Sequence, residues 1–184
     1  MKLLGLFLMT EKGFEVLKSF IREFRSSNIA YVVADKDNTL EKDFYDEIKK
    51  ICKINNIPFF YRKEVRSLNA EFNFAISWRY IINDVKNLIV FHDSVLPKYR
   101  GFAPLINSLV NGEKFIGVTA LFASQKYDQG KIILQSKVEI KYPKKISEAI
   151  QLLIPIYCKL VNSICKKILN NKKIIGVNQK EECA

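Results

Sequence analysis

The sequence predicts an α/β fold built on a doubly wound, mostly parallel sheet. Short apolar runs at residues 3–9, 29–34 and 57–61 are typical of parallel strands that are covered on both faces. Between them, residues 14–24 and 42–56 place apolar side chains three and four positions apart, which is the spacing of an amphipathic helix. Parallel neighbours require crossovers of this length, so the alternation of strand and helix indicates this sheet.

The second half of the chain continues the pattern. Its predicted strands and helices cover, in chain order, 72–78, 88–92, 103–110 (helix), 115–122, 130–140 and 144–168 (helix). The last two strands are expected to pair around the loop 123–129. Pro155 should kink the long helix because proline removes an amide donor and crowds the preceding turn. Residues 173–177 are expected to add a last edge strand.

Length and composition fit one globular domain that covers residues 1–184. A chain of 184 residues, 48% of them hydrophobic, can bury a core without disulfides or metals. Its net charge of +11 is spread over many positions, and no basic stripe is interleaved with aromatic residues. This distribution disfavours a nucleic-acid partner and favours a diffuse positive charge that attracts an anionic small substrate.

Cysteine usage and hydropathy indicate a cytoplasmic protein without a membrane partner. Cys52, Cys158, Cys165 and Cys183 form no C-x-x-C pair and no disulfide framework, which fits a reducing compartment. The apolar run at 3–9 passes into a charged segment without a signal-peptide cleavage site, and it reads as a first strand. No run reaches the about 18 apolar residues that a membrane span needs.

A candidate site follows the fifth predicted strand. His92, the only histidine of the chain, ends the apolar run 88–92, and a loop that contains Ser94, Pro97 and Gly101 comes next. Open α/β sheets bind ligands beyond the carboxyl ends of their strands, so the imidazole is expected at a ligand-binding edge. Without a surrounding motif, a single histidine at a strand end is more often structural.

The residues around His92 supply such a motif. From His92 the chain reads H-x-S-x-L-P-K-Y-R-G, and then come an N-G-E turn at 111–113, a G-V-T strand segment at 117–119 and D-x-G-x-I from Asp128. This order resembles the folate-dependent formyltransferases, which formylate methionyl-tRNA, glycinamide ribonucleotide or amino-sugar nucleotides. The resemblance covers about residues 75–135 and implies a Rossmann-like formyltransferase core.

The resemblance implies roles for three groups of residues, and 10-formyltetrahydrofolate as the co-substrate. His92 and Asp128 would form an acid/base pair in which the carboxylate favours the charged imidazolium. Cofactor-binding residues would be Tyr80, Ile81, Ile82, Ser124, Gln125, Lys126 and Tyr127, and the substrate loop would contain Ser94, Pro97, Lys98, Arg100 and Gly101. Without the resemblance, Tyr80 to Ile82 read as core residues and the basic pair of the loop as solvated charge.

Val90 departs from the family pattern. Residues two apart on a strand share a face, and the family carries asparagine two positions before the histidine, where its amide would donate to the developing oxyanion. Valine cannot donate, and losing one such donor costs about a hundred- to a thousandfold in rate. Ser94, Asn107, Ser124 or a backbone amide could replace it; otherwise the enzyme is slow, or the cleft binds without catalysing.

The predicted activity is formyl transfer to a primary amine of a small substrate, foremost an amino-sugar nucleotide. The Y-R-G-x-A-P-L run at 99–105 resembles the sugar and methionyl-tRNA branches of the family. The tRNA enzymes carry an additional basic β-barrel domain, and this chain ends near the core, so a tRNA substrate is not expected. Glycinamide ribonucleotide, whose enzymes have a similar length, is the alternative substrate, and a non-catalytic folate- or nucleotide-binding relative is the alternative class.

Overall fold

The computed structural model describes residues 4–65, 68–83 and 85–180. They group into two compact units, one that ends at Ile89 and one that begins at Val90. A single domain over 1–184 therefore stays a prediction, and Cys183 lies outside the described residues. Within those residues, no helix combines the length and the apolar character that crossing a membrane requires.

The described residues form seven strands and four α-helices. The strands are β1 (Leu4–Leu8), β2 (Ile29–Ala34), β3 (Phe59–Tyr61), β4 (Phe72–Ile76), β5 (Leu88–His92), β6 (Phe115–Phe122) and β7 (Ile132–Glu139). The helices are α1 (Thr10–Glu23), α2 (Tyr45–Ile54), α3 (Pro104–Val110) and α4 (Ile146–Leu169).

The strand order confirms the predicted α/β fold. The hydrogen-bonded order is β3-β2-β1-β4-β5-β6-β7, in which the chain winds outward from β1 in one direction and then from β4 in the other. β1 pairs in parallel with β2 and β4, and β2 with β3, whereas β6 and β7 are antiparallel as expected. The sheet is thus doubly wound, mostly parallel and Rossmann-like.

A glycine lets two polar side chains meet in the core of the first unit. Gly5 of β1 pairs with Tyr31 on one side and with Asn73 on the other. The Tyr31 hydroxyl donates to the Asn73 side-chain oxygen directly over this glycine. A Cβ on Gly5 would lie 2.3 Å from the tyrosine ring and 2.4 Å from the asparagine oxygen, so any side chain at this position would separate them.

Burial in the first unit predicts a loss of stability at alkaline pH. Burial raises the pKa of the Cys52 thiol to about 12, and burial likewise raises the pKa of the Tyr31 phenol to about 12. The unfolded thiol ionises near pH 8.5, so above that pH the unfolded state releases a proton that the folded state retains. Stability therefore falls as pH rises, and Cys52 alone should account for about 3 kcal/mol by pH 11.

Urea unfolding at several alkaline pH values measures this slope. In Cys52→Ala, the free energy of unfolding should decrease less steeply with rising pH, because the variant has no thiol to ionise at this position. An equal slope in the variant and in the parent chain would contradict the assignment.

The second unit packs α4 on the β6–β7 hairpin. The helix contacts both strands and buries an apolar stripe that includes Leu153, Tyr157 and Ile164. α4 continues past the exposed Pro155 as one uninterrupted helix. Cys165 is buried and Cys158 half-buried on this helix, and neither forms a disulfide bond within the described residues.

Two sequence expectations need correction. Residues 173–177 do not form an edge strand: Val177 makes a single antiparallel bridge to Ile132, with both N–H···O distances at 2.8 Å. α2 begins at Tyr45 instead of Lys42, because the preceding Phe44 has a left-handed φ of 63° that is not helical, and the Asp43 carboxylate accepts from the amides of Tyr45 and Asp37.

Candidate active site

His92 and Asp128 lie side by side in the second unit. His92 is the last residue of β5, and its Nδ1 is 3.5 Å from Oδ2 of Asp128. The two side chains are 8% and 16% exposed, so the pair is largely shielded but still open to solvent. The structure therefore brings together the two residues to which the resemblance assigns proton transfer.

The tautomer of His92 follows from its second nitrogen. Nε2 lies 2.7 Å from the carbonyl oxygen of Tyr99. A carbonyl can only accept, so Nε2 carries the hydrogen and donates it. In the neutral ring Nδ1 is then the basic nitrogen, and it faces the Asp128 carboxylate. A proton taken up at Nδ1 would lie next to the Asp128 carboxylate.

Asp128 is held at a fixed position. Its Oδ2 accepts from the Gly101 amide at 3.0 Å, and its backbone has the left-handed φ of 54°. Aspartate tolerates this conformation better than most residues do. Gly130 follows closely: a Cβ there would lie 1.7 Å from the Phe122 carbonyl oxygen, so the chain can pass only without a side chain. The D-x-G spacing thus has a steric cause.

The loop from Ser94 to Gly101 is anchored on β6 and β7. The buried Thr119 hydroxyl donates to the Ser94 carbonyl at 2.7 Å and accepts from the Leu96 amide at 3.1 Å. Gln135 donates to the Leu96 carbonyl at 2.7 Å and to the Thr119 oxygen at 2.8 Å. The Ser94 hydroxyl closes the loop by donating to the Lys98 carbonyl at 2.7 Å. Pro97, which follows Leu96, lies in the part of the loop that these bonds hold.

The two basic residues of this loop are both engaged by other side chains. Lys98 Nζ lies 2.8 Å from Glu113 Oε1, and the Tyr99 hydroxyl donates to the same oxygen at 2.8 Å. These two hydrogen bonds, the one from Lys98 foremost, lower the pKa of the Glu113 carboxyl. Arg100 donates from Nε and Nη2 to Gln179 Oε1 at 3.0 and 2.7 Å. The geometry thus gives each positive charge a partner within the unit.

The predicted cofactor loop at 124–127 consists of exposed residues directly before Asp128. Tyr127 is 76% exposed, and Gln125 and Lys126 are exposed as well. The Ser124 hydroxyl donates to the Lys126 carbonyl at 2.7 Å and so shapes the loop from within. The loop therefore offers an aromatic ring and polar groups beside the His92–Asp128 pair.

The other predicted cofactor segment, Tyr80 to Ile82, belongs to the first unit. Ile81 is 73% exposed, whereas Ile82 packs against the buried cluster around Phe7 and Tyr31. The Arg62 guanidinium stacks on the Tyr80 ring with its carbon 3.9 Å from the ring centre. Ile81 is therefore the side chain of the segment that is free to meet a ligand.

An ion pair below Tyr80 holds this stack. Arg62 donates to the buried Asp35 carboxylate. Burial acts to raise the pKa of Asp35, but the hydrogen bonds from Arg62 and from the Lys36 amide outweigh it, and the pKa is lowered. Asp35 is thus held as a carboxylate, which keeps Arg62 under the ring.

Three side chains that could replace an asparagine at position 90 already donate elsewhere. Ser94 and Ser124 each have one hydroxyl hydrogen, and both hydrogens point to backbone carbonyls. Asn107 donates one amide hydrogen to the Phe102 carbonyl at 3.1 Å. Val90 itself is half-buried on the strand that carries His92. Of the three, only Asn107 retains a further amide hydrogen.

Several residues that shape the site were not identified from the sequence. Thr119 is a fully buried polar residue within an apolar strand, and this pattern could have marked it. The Tyr157 hydroxyl of α4 lies 2.5 Å from Asp93 Oδ1 and 3.2 Å from the Phe91 carbonyl, so its one hydrogen is shared between two acceptors at the end of β5. Burial, with Asp93 adding to it, raises the pKa of Tyr157 well above its usual range. Nothing in the sequence marks Gln135 or Gln179 as a residue of the site.

Acidic, histidine and cysteine side chains do not gather into a metal site in the described residues. No group of three or more of them there could hold a metal ion. The reactive groups that the structure brings together are thus one imidazole and one carboxylate, which the Tyr99 carbonyl and the Gly101 amide hold in place.

Two curated proteins resemble this chain over most of its length. The bifunctional polymyxin resistance protein ArnA of Wigglesworthia glossinidia brevipalpis is 30% identical, and the match covers 92% of this chain and 26% of ArnA. The methionyl-tRNA formyltransferase of Flavobacterium johnsoniae is 28% identical over 76% of this chain and 49% of that enzyme. The chain thus spans about a quarter to a half of the length of these relatives.

A solved structure shares the fold, and a family model covers the site. The sugar 3N-formyl transferase WlaRD, crystallised in the presence of dTDP and 5-N-formyl-THF, superposes with a TM-score of 0.80 at 20% identity, over 99% of this chain and 68% of that one. Residues 60–152, half of the chain, match the family model described as formyl transferase, and both His92 and Asp128 fall inside the match. The chain belongs to the formyl transferase family.

Proposed function

We propose that this chain is an N-formyltransferase that moves the formyl group of 10-formyltetrahydrofolate to the primary amine of a small substrate, foremost a nucleotide-linked amino sugar. The observation that carries the proposal is the contact between His92 Nδ1 and Asp128, 3.5 Å apart. Family membership supports the reaction class, and WlaRD, a sugar 3N-formyl transferase crystallised with dTDP and a formyl folate, supports the substrate class.

The chemistry requires a proton acceptor next to the attacking amine. The amine nitrogen attacks the formyl carbon, a C–N bond forms, and negative charge develops on the formyl oxygen. The amine then loses a proton to His92 Nδ1, and the Asp128 carboxylate stabilises the resulting imidazolium. When the intermediate collapses, the bond from carbon to folate N10 breaks, and N10 takes the proton from the His92 imidazolium, which restores the neutral ring. Formylated amine and tetrahydrofolate are the products.

The Nε2 contact prepares His92 for this role. Its hydrogen bond to the Tyr99 carbonyl fixes the ring and leaves Nδ1 unprotonated in the neutral form. The Gly101 amide donates to Asp128 Oδ2, the same oxygen that lies near His92 Nδ1. Neither group has to reorient when the proton arrives, and such preorganisation lowers the barrier.

A second candidate function is folate or nucleotide binding without catalysis. Val90 cannot donate to an oxyanion, and the hydroxyls of Ser94 and Ser124 are committed to carbonyls. A chain that binds the folate in this cleft but lacks the oxyanion donor would hold the ligand and leave the formyl group in place.

Calorimetry and a turnover assay distinguish the two functions. Calorimetry with 5-formyltetrahydrofolate measures binding, and mass spectrometry of a panel of amino-sugar nucleotides and other primary amines, incubated with 10-formyltetrahydrofolate, measures transfer. The enzyme hypothesis predicts binding and a formylated amine. Binding without any formylated amine would favour the binder, and the absence of both would contradict the proposal.

A further inference from the structure

Gln179 connects the two parts of the chain that hold the His92–Asp128 pair. Its Nε2 donates to the carbonyls of Asp128 and Gly130 at 2.6 and 2.9 Å. Its Oε1 accepts the two hydrogen bonds from Arg100. A primary amide has two donor hydrogens and two acceptor lone pairs, so these four bonds use its whole capacity.

The bonds to the carbonyls fix the backbone of Asp128. They bracket the turn from Asp128 to Gly130, in which Asp128 has a φ of 54°. An aspartate in this region needs support from its surroundings to stay there. The Asp128 side chain extends from this backbone, so the Gln179 amide restrains the point from which the carboxylate reaches the Gly101 amide.

The bond to Arg100 fixes the partner of that carboxylate. Arg100 immediately precedes Gly101, whose amide donates to Asp128 Oδ2 at 3.0 Å. Gln179 therefore binds next to both ends of the Gly101–Asp128 hydrogen bond. If Gln179 were lost, both ends could move independently, and the carboxylate would no longer be held against His92 Nδ1.

The segment that carries Gln179 is itself anchored. Val177 pairs with Ile132 at the start of β7 through two 2.8 Å hydrogen bonds. Gly176 lies so close to the hairpin that a Cβ there would be 2.6 Å from the Lys131 Cβ and 3.1 Å from the Phe122 ring. The backbone is thus fixed at Val177, two residues before Gln179, and this restrains the position of Gln179 as well.

We propose that Gln179 is a positioning residue that sets the geometry of the His92–Asp128 pair for formyl transfer. This inference rests on the proposed function for its effect on rate, but its structural part does not. Gln179→Leu removes all four hydrogen bonds. Gln179→Glu keeps the acceptor for Arg100 and removes the donor to both carbonyls, so it isolates the part of the contact that fixes Asp128.

Nuclear magnetic resonance of the substrate-free protein tests the structural part. In Gln179→Leu and Gln179→Glu, the Gly101 amide proton should shift upfield and exchange with solvent about tenfold to a hundredfold faster, because its charged acceptor is no longer held. The His92 ring signals, which are unambiguous in a chain with one histidine, should move as well. Asn178→Ala, at an exposed neighbouring position, should change neither.

The kinetic part is measured with 10-formyltetrahydrofolate and the amine that the transfer assay identifies. Both Gln179 variants should lower kcat about tenfold to a hundredfold, the loss expected for a misplaced catalytic pair, while Asn178→Ala retains the parent rate. A thermal melt shows whether the fold is intact, and Gln179→Glu serves if Gln179→Leu fails to fold. If the Gly101 amide and the His92 ring are unchanged in the variants, the proposal is wrong. If they change but no protein transfers formyl groups, the proposed function is wrong and the positioning role stands.

Discussion

Replacing His92 with glutamine should lower the rate of formyl transfer by about a hundred- to a ten-thousandfold, the usual contribution of a positioned general base. The glutamine amide can still donate to the Tyr99 carbonyl, as Nε2 of the imidazole does. What the variant lacks is the basic nitrogen that faces Asp128. The loss should therefore appear in kcat, with folate binding by calorimetry nearly unchanged.

Two further variants serve as comparisons for His92→Gln. Asp128→Asn keeps the shape of the side chain and removes its charge, so the imidazolium loses its stabilising neighbour, and the rate should fall in the same direction. Glu139→Gln removes an exposed carboxylate of β7 and should leave the rate unchanged. Transfer by His92→Gln at the parent rate would show that the imidazole has no part in the reaction.

Introducing asparagine at position 90 should raise the rate by up to about a hundred- to a thousandfold, which is the effect of one oxyanion-hole donor. The reason lies in the donors around the site. The hydroxyls of Ser94 and Ser124 each donate their one hydrogen to a backbone carbonyl. An amide at position 90 would lie on the same face of β5 as His92, because side chains two apart on a strand point the same way.

Val90→Leu is the control, since leucine has the same branched skeleton as asparagine and no hydrogen to donate. It should not accelerate transfer. An equal rate in Val90→Asn and in the parent chain would mean that another donor, such as the second amide hydrogen of Asn107 or a backbone amide, already faces the oxyanion. That outcome would preserve the proposed reaction and refute the account of Val90.

The sequence predicted those parts of the fold that local pattern determines. The limits of β2, β5 and β6 match their apolar runs, because strands that are buried in the sheet are apolar over most of their length. The start of α2 was missed, since the left-handed backbone of Phe44 and the bonds of the Asp43 carboxylate to the Tyr45 and Asp37 amides leave no trace in the periodicity. The predicted last strand is one bridge, because only Val177 of that segment reaches the hairpin.

In the site, too, local pattern reveals some residues, and others depend on contacts that only the fold creates. His92 was visible as the polar end of an apolar strand, but its pairing with Asp128 followed from a motif and not from spacing. Thr119, Gln135 and Gln179 act on the loops only because the β6–β7 register and the return of the chain after α4 bring them there. Contacts between residues so far apart in sequence depend on the whole fold, and local patterns in the sequence do not reveal them.

A crystal structure of the protein with 5-formyltetrahydrofolate, a stable analogue of the proposed co-substrate, tests the central claim most directly. We expect the formyl end of the folate to lie beside His92 and Asp128, with the folate in contact with Ser124 to Tyr127. A folate bound with its formyl group remote from the His92 imidazole, or a cleft that stays closed to the folate at saturating concentration, would contradict the account.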